Sequence, residues 1–210
     1  LPERNVLPKP YGPGHPPFWL AVGSPPTWRK AGLLGQGALG FTFSAIRDLE
    51  PRIADYRAGI SECTDPVGQF VNDNAMVTSA VSCAADRKRA RAQVTRLGAG
   101  YLTTMVSLYH DTMPRTGVPA WPEPPRRITE DEVDELIQGG LLLCGTPEDV
   151  CEQLEAYSGI GIDQLCFGVP YNGTYEETLE MIELVGKHVI PEFDKSPDVI
   201  STDVYRARAV

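Results

Sequence analysis

Apolar and polar positions along the chain follow two rhythms, one suited to buried strands and one to helices. Phe18–Val22 is a compact apolar run that predicts a buried strand, and it stops at Gly23-Ser24. Ser24 reads as a helix N-cap with Pro25 at the first helical position, where its missing N–H costs nothing, so a helix is expected from Pro25 to about Leu34. Ala38–Ser44, "ALGFTFS", predicts a second strand. Ile46, Leu49, Ile53, Tyr56 and Ile60 then recur at helical spacing with charges between them, which predicts an amphipathic helix over Ala45–Ile60. Ala75–Cys83, "AMVTSAVSC", predicts a third strand, and Asp86 opens a charged helix, "DRKRARAQVTRLG", that continues to about His110.

Residues 111–129 break the rhythm. Five prolines interrupt "DTMPRTGVPAWPEPPRR", so no regular element is expected there. Connections of this length often act as lids or binding loops; Trp121 could close over a ligand, or be the one aromatic that a surface loop packs. Thr129, with Glu132 three positions on, predicts a capped helix start, and Thr146-Pro147 predicts another. That second helix ends near "YSGIGID", Asp163–Val169 predicts a fourth strand, and Thr174–Phe193 a closing helix. The lead-in 1–17 is Pro/Gly-rich and extended, and the tail 194–210 is polar. Strand and helix thus alternate four times within one domain spanning 1–210, which predicts a parallel sheet with covering helices. Half of a (β/α)8 barrel and a small doubly wound sheet both fit.

Composition narrows the partners. Lys and Arg number 19 against 28 Asp and Glu, for a net charge of -9, which argues against nucleic acid or an anionic membrane as partner. No apolar run approaches the length that spans a bilayer. Cys63, Cys83, Cys144, Cys151 and Cys166 are scattered and form no C-x-x-C pair, which reads as reduced thiols in a cytoplasmic protein. The chain opens on Leu1 within a loop-like segment, which reads as a connection inside a longer protein.

Several motifs reduce to structural roles. Gly35-x-Gly37-x-x-Gly40 has the dinucleotide spacing, but it follows a predicted helix and opens a strand, the reverse of what a pyrophosphate needs. His15, His110 and His188 share no metal-ligand spacing, so no metal is expected. Neither a G-x-S-x-G elbow nor a G-x-x-x-x-G-K-[ST] loop occurs. The turn "GSPPT" has the opposite character: no known pattern, but a context that suits an anion. It places the hydroxyls of Ser24 and Thr27 at a helix start, where amide donors and the positive dipole end face outward, with Arg29 and Lys30 nearby. From these residues alone a plain capped helix is the first explanation of it.

Taken in order, "VLPKPYGPGHPPFWLAVGSPPTWRKAGLLGQGALG" and "LCGTPEDVCEQLEAYSGIGIDQLCFGVPYNGTYEETLEMIELVGKHVIPEF" resemble the fifth-to-sixth-strand and eighth-strand regions of the luciferase-like flavin-dependent oxidoreductases, over residues 5–193. The resemblance implies a (β/α)8 TIM barrel of which this chain carries the second half, strands five to eight with a Pro-rich insertion. It implies FMN, or alternatively a deazaflavin, as cofactor. Ser24 and Thr27 fall where the family contacts the flavin phosphate, flanked by Val22 and Gly23; Gly23 replaces a carboxylate found in luciferase itself. Phe41, Thr42, Ser79 and Val169, at strand ends, and Trp121 are expected on the ring or substrate side. The family's catalytic residues lie in the N-terminal half, so none is assigned here. The implied activity is oxidation of a small organic substrate by reduced FMN and oxygen. The alternatives are hydride transfer with a deazaflavin, or a non-catalytic half-barrel that serves as a structural partner. Four strands leave two open edges, which implies a homo-oligomer or pairing with the remaining half.

Overall fold

In the computed structural model, which describes residues 2, 5, 7–10, 14–41, 45–97, 127–168 and 173–195, the apolar run before Gly23 is strand β1 (Trp19–Val22). Helix α1 (Pro25–Leu33) and strand β2 (Gly37–Phe41) follow. β1 and β2 are parallel, with Trp19 opposite Gly37 and Val22 opposite Gly40, as a helical crossover between adjacent strands requires. The chain divides into two compact units. Among the described residues the first comprises those up to Gly40 and Pro51–Met76, and the second Phe41–Glu50 and those from Val77 onward.

Helix α2 (Ile46–Glu62) carries the predicted apolar face, and Leu49, Ile53 and Tyr56 are buried. In the first unit α1 crosses α2 at two glycines. A Cβ on Gly32 would lie 2.7 Å from Ile60 N and collide with Tyr56 O, and one on Gly59 would lie 2.5 Å from Arg29 O. The two backbones therefore touch without side chains between them. A neutral polar node closes the amino ends of the strands. Tyr56 Oη shares its proton between Asn72 O and Asn74 O, each at 3.1 Å. Asn72 Nδ2 donates to Phe18 O (3.0 Å), Asn74 Nδ2 donates to Asn72 Oδ1 (2.9 Å), and Ala38 N donates to Asn74 O (2.9 Å). Every side-chain group in this node has a partner, which is what burial of amides demands. The end of the lead-in is pinned by His15, whose ring stacks on Phe18 and Phe70 at 4.3 and 4.8 Å and whose Nε2 accepts from Gln69 N (2.7 Å).

The second unit is built on β3 (Ala75–Cys83), which starts in the first unit, and β4 (Leu142–Gly145). They run parallel, with Ala80 opposite Leu142 and Cys83 opposite Gly145, and β5 (Gln164–Phe167) also pairs with β3. Helices α3 (Arg87–Leu97) and α4 (Glu130–Gln138) cover one face, where Ala90, Val94 and Val133 pack on Ala84, Leu142 and Cys144. Helix α5 (Pro147–Gly159) joins β4 to β5, and its Tyr157 Oη meets Ser79 Oγ at 3.0 Å and donates to Gly140 O.

Strand β4 is absent from the sequence expectation. "LLLCG" offers only five residues between Gly139-Gly140 and the Thr146 cap, too short a run for periodicity to distinguish strand from helix. The closing helix is also not uniform. It runs as α6 (Tyr175–Leu184), a π turn (Val185–Val189) and α7 (Ile190–Phe193). The expected continuation of α3 to His110 and the polar tail from 196 lie outside the described residues.

The charged helix α3 has a structural purpose that its composition alone does not reveal. Arg91 binds Glu130 and Asp134 of α4 at 2.8 and 2.7 Å. Arg87 grips Asp149 of α5, Nε to Oδ2 at 2.7 Å and to Oδ1 at 3.0 Å. Arg89 makes a two-bond contact with Glu180 of α6, and Arg96 reaches Glu177 at 2.6 Å. Two of these acceptors, Asp149 and Glu177, are also the third-position acids of capping boxes on Thr146 and Thr174, and Glu132 completes a third box on Thr129.

Candidate functional site

The turn from β1 into α1 brings Val22, Gly23, Ser24 and Thr27 together. Val22 is buried, while Gly23 is exposed, with open space where a Cβ would stand. Ser24 adopts the extended backbone of an N-cap (φ -95, ψ 150). Its side chain makes no capping bond, unlike Thr129, Thr146 and Thr174, each of which accepts from its third-position amide. The hydroxyl of Ser24 is thus exposed and uncommitted at the positive end of a nine-residue helix whose first turn holds no acid.

The structure corrects the expected donor set in two ways. Pro25 and Pro26 occupy the first two helical positions and have no N–H, and the third amide, Thr27 N, donates to Ser24 O at 3.0 Å. The helix start therefore does not present the free amides anticipated from its position. Thr27 Oγ1 also donates to Ser24 O (2.6 Å), so it faces the same turn and can accept from, or rotate toward, a ligand. Arg29 points away: its guanidinium binds Glu62 at the end of α2 at 2.6 Å. Lys30 is exposed in the last turn of α1. What remains fits a phosphate: a free hydroxyl, a second hydroxyl adjacent, an unobstructed glycine and a positive helix end with no competing carboxylate.

The other expected site residues are not gathered by what is described. Phe41 ends β2 and belongs to the second unit. Ser79 stands in the middle of β3, not at its carboxyl end, and its hydroxyl is occupied by Tyr157. Thr42, Val169, Trp121 and the candidate lid apart from residues 127–129 lie outside the described residues.

The second unit contains a cavity of about 170 Å³ lined by Arg87, Arg91, Cys144, Asp149 and Gln153. Its polar groups satisfy one another: Arg87 binds Asp149, and Gln153 brackets the backbone of Cys144 at 2.8 and 2.9 Å. Burial pushes the Cys83 thiol up to about 11 and Cys144 up to about 12, so neither is a nucleophile near neutral pH. All five cysteines are unpaired. In a thiol titration with Ellman's reagent, exposed Cys166 is expected to react first, and Cys83 and Cys144 only on unfolding. Early modification of Cys83 or Cys144, read by peptide mass spectrometry, would contradict the packing of β3 and β4. Among the described residues no cluster of His, Cys, Asp and Glu could hold a metal ion, and no helix is long and apolar enough to cross a membrane.

The family model described as luciferase-like monooxygenase matches residues 2–164. No curated protein matches the chain. Among solved structures, the monooxygenase RslO1 from Streptomyces bottropensis aligns with 89% of this chain and 51% of its own, at 16% identity and a TM-score of 0.65. The oxygenating constituent of 3,6-diketocamphane monooxygenase from Pseudomonas putida, a type II Baeyer-Villiger monooxygenase solved in complex with FMN, aligns with 88% of this chain and 50% of its own, at 20% identity and 0.61. The coenzyme F420-dependent tetrahydromethanopterin reductase of Methanopyrus kandleri aligns with 84% of this chain and 51% of its own, at 19% identity and 0.50. The chain spans about half the length of each of these structures. The shared feature is the fold: alternating strands and helices with parallel pairing, corresponding to half of the expected (β/α)8 barrel.

Proposed function

This chain belongs to the luciferase-like monooxygenase family, and from that premise we propose that Ser24 and Thr27 hold the phosphate of FMN in an oxidoreductase acting on a small organic substrate with oxygen. The observation that carries the reading is the exposed Ser24 hydroxyl, the one Ser/Thr N-cap among those described that leaves its helix uncapped. Bound reduced flavin supplies the electrons for oxygen chemistry, and the protein's part is to place and shield it. Ser24 Oγ donates to a phosphate oxygen, Thr27 Oγ1 turns from Ser24 O to a second, and Gly23 lets the group approach the backbone. The partial positive charge of α1 offsets the anion. Phe41, Thr42 and Val169, with Trp121 from the lid, are assigned to the ring or substrate side. Ser79 is left out because Tyr157 holds its hydroxyl. Chain corresponding to the rest of the relatives' barrel would supply the opposite wall and the catalytic groups.

The test is fluorescence titration of a polypeptide that carries residues 1–210 together with that second wall. FMN is expected to bind roughly tenfold more tightly than riboflavin, and Ser24→Ala to weaken FMN by roughly tenfold while leaving riboflavin unchanged, the loss of one charge-assisted hydrogen bond. Equal affinities for FMN and riboflavin, or an unaffected Ser24→Ala, would remove the phosphate assignment. Binding of coenzyme F420 in preference to FMN would favour the deazaflavin-dependent alternative, since an F420-dependent reductase shares the fold. Binding of none would leave a structural half-barrel.

A further inference from the structure

Helix α2 starts without a side-chain cap of its own. The amide of its first residue, Ile46, has no carbonyl inside the helix to bond, and the preceding residue is Ala45, whose side chain cannot accept. The acceptor comes from elsewhere in the second unit: Ile46 N donates to Gly139 O at 3.0 Å. Gly139 is the C-cap of α4, where a helix leaves its last carbonyls free, so the negative end of α4 meets the positive end of α2. The next residue, Gly140, lies in the left-handed region at φ +69, and a Cβ there would collide with Cγ1 and Cδ1 of Ile46. The turn and the helix start are thus in close contact through backbone and side chain alike. Gly140 is also fixed from the other side. The single proton of Tyr157 Oη, on α5, goes to Gly140 O, so in the 3.0 Å bond with Ser79 the serine donates. Tyr157 is 2% exposed, and burial pushes its pKa up, which keeps the phenol a donor. One hydrogen-bonded line therefore runs from Ser79 of β3 through Tyr157 to the Gly139–Gly140 turn and the start of α2.

We propose that Tyr157 is a positioning residue for the flavin ring: through the Gly139–Gly140 turn it holds the start of α2, and with it the connection between Phe41 and Ala45. This rests on the assignment of Phe41 and Thr42 to the ring or substrate side, and it adds a residue that touches neither cofactor nor substrate. The connection is short, with only residues 42–44 between the end of β2 and Ala45. A shift of the first turn of α2 is therefore passed into it, because so short a link has no slack to absorb the movement. The same turn closes α4, the helix that follows the Pro-rich stretch 111–129. Along the chain it thus joins the two segments given to the ring side, Phe41–Thr42 ahead of α2 and Trp121 ahead of α4.

The experiment compares wild type with Tyr157→Phe in the polypeptide that carries residues 1–210 together with the second wall, by amide hydrogen exchange and by titration with FMN and riboflavin. Without flavin, the Ile46 amide is expected to exchange about tenfold faster in Tyr157→Phe, while amides in the middle of α2, such as that of Ile53, stay unchanged. FMN and riboflavin are both expected to bind about fivefold more weakly, in equal measure because the phosphate is not involved. Adding Ala45→Ser gives α2 a side-chain cap of its own and is expected to restore both affinities to within about twofold of wild type. Ser79→Ala, which keeps the whole Tyr157 side chain, is the milder variant and is expected to speed the same amide by about threefold. An Ile46 amide that speeds up in neither variant, flavin affinities untouched by Tyr157→Phe, or a weakening that Ala45→Ser does not repair would each overturn the proposal. The last of these is what a plain loss of stability produces. The phosphate assignment fails separately: it is lost if Ser24→Ala leaves FMN unchanged, whereas the positioning role is lost if Ser24→Ala weakens FMN and Tyr157→Phe weakens neither flavin.

Discussion

Replacing Gly32 by alanine is expected to destabilise the first unit by about 3 kcal/mol. The reason is backbone contact at the crossing of α1 and α2. A methyl group on Gly32 would overlap Tyr56 O and stand 2.7 Å from Ile60 N, and neither atom can move like the end of a flexible side chain. The helices would have to separate, and α1 also carries Trp28, which is 1% exposed in the core. The gain in helix propensity from Gly to Ala, about 1 kcal/mol, acts in the opposite direction and is smaller than the overlap. Urea unfolding followed by tryptophan fluorescence gives the number. An unchanged or higher midpoint for Gly32→Ala would mean that the helices do not meet backbone to backbone. Because Ser24 is the N-cap residue of α1, the same substitution is expected to weaken any ligand held by that turn.

The second large effect is expected at Asp149, which serves two structures at once. Its carboxylate accepts from Thr146 N at 2.9 Å, closing the capping box of α5, and from the Arg87 guanidinium of α3. The Arg87 contact, more than the cap, holds its pKa down to about 2 against burial, which opposes ionisation. The folded value lies below the unfolded one, so the stabilisation is complete above about pH 4 and is lost as pH falls from there through about 2. Arg87 is 75% exposed, and solvent screens the pair, so the contribution is between about 1 and 2 kcal/mol. Asp149→Ala loses the cap as well and is expected to cost about 2–3 kcal/mol at neutral pH. Asp149→Asn separates charge from shape: it keeps part of the cap but flattens the pH dependence between 4 and 2. An Asp149→Asn protein that retains the wild-type acid profile would show that other carboxylates govern it.

Much of this was legible in local sequence. Thr129, Thr146 and Thr174 announce helix starts because a capping box is a contact between residues three apart. The face of α2 is legible because Leu49, Ile53 and Tyr56 need only helical periodicity. The partners of α3 are not, since Arg91, Arg87 and Arg89 reach residues 39, 62 and 91 positions away. The same distance hides the turn of Arg29 toward Glu62, which takes from the β1–α1 turn a charge that its sequence position suggests. Strand β4 escapes because four apolar residues fit either rhythm. The loss of amide donors at α1 was readable, since two adjacent prolines state it directly, but the N-cap pattern around Ser24 obscures it. Ser79 shows the limit of reading a strand end from composition: β3 continues four residues beyond it, to Cys83.

The two prolines that remove those donors also change what binding there requires. Each locks its own φ near the helical value, so the β1–α1 turn samples few conformations even in the unfolded chain. A ligand docking at Ser24 would find the turn rigid beforehand, and little ordering entropy would be lost. Selectivity at such a turn rests on fixed shape: a group that does not fit finds no adaptable loop to accommodate it.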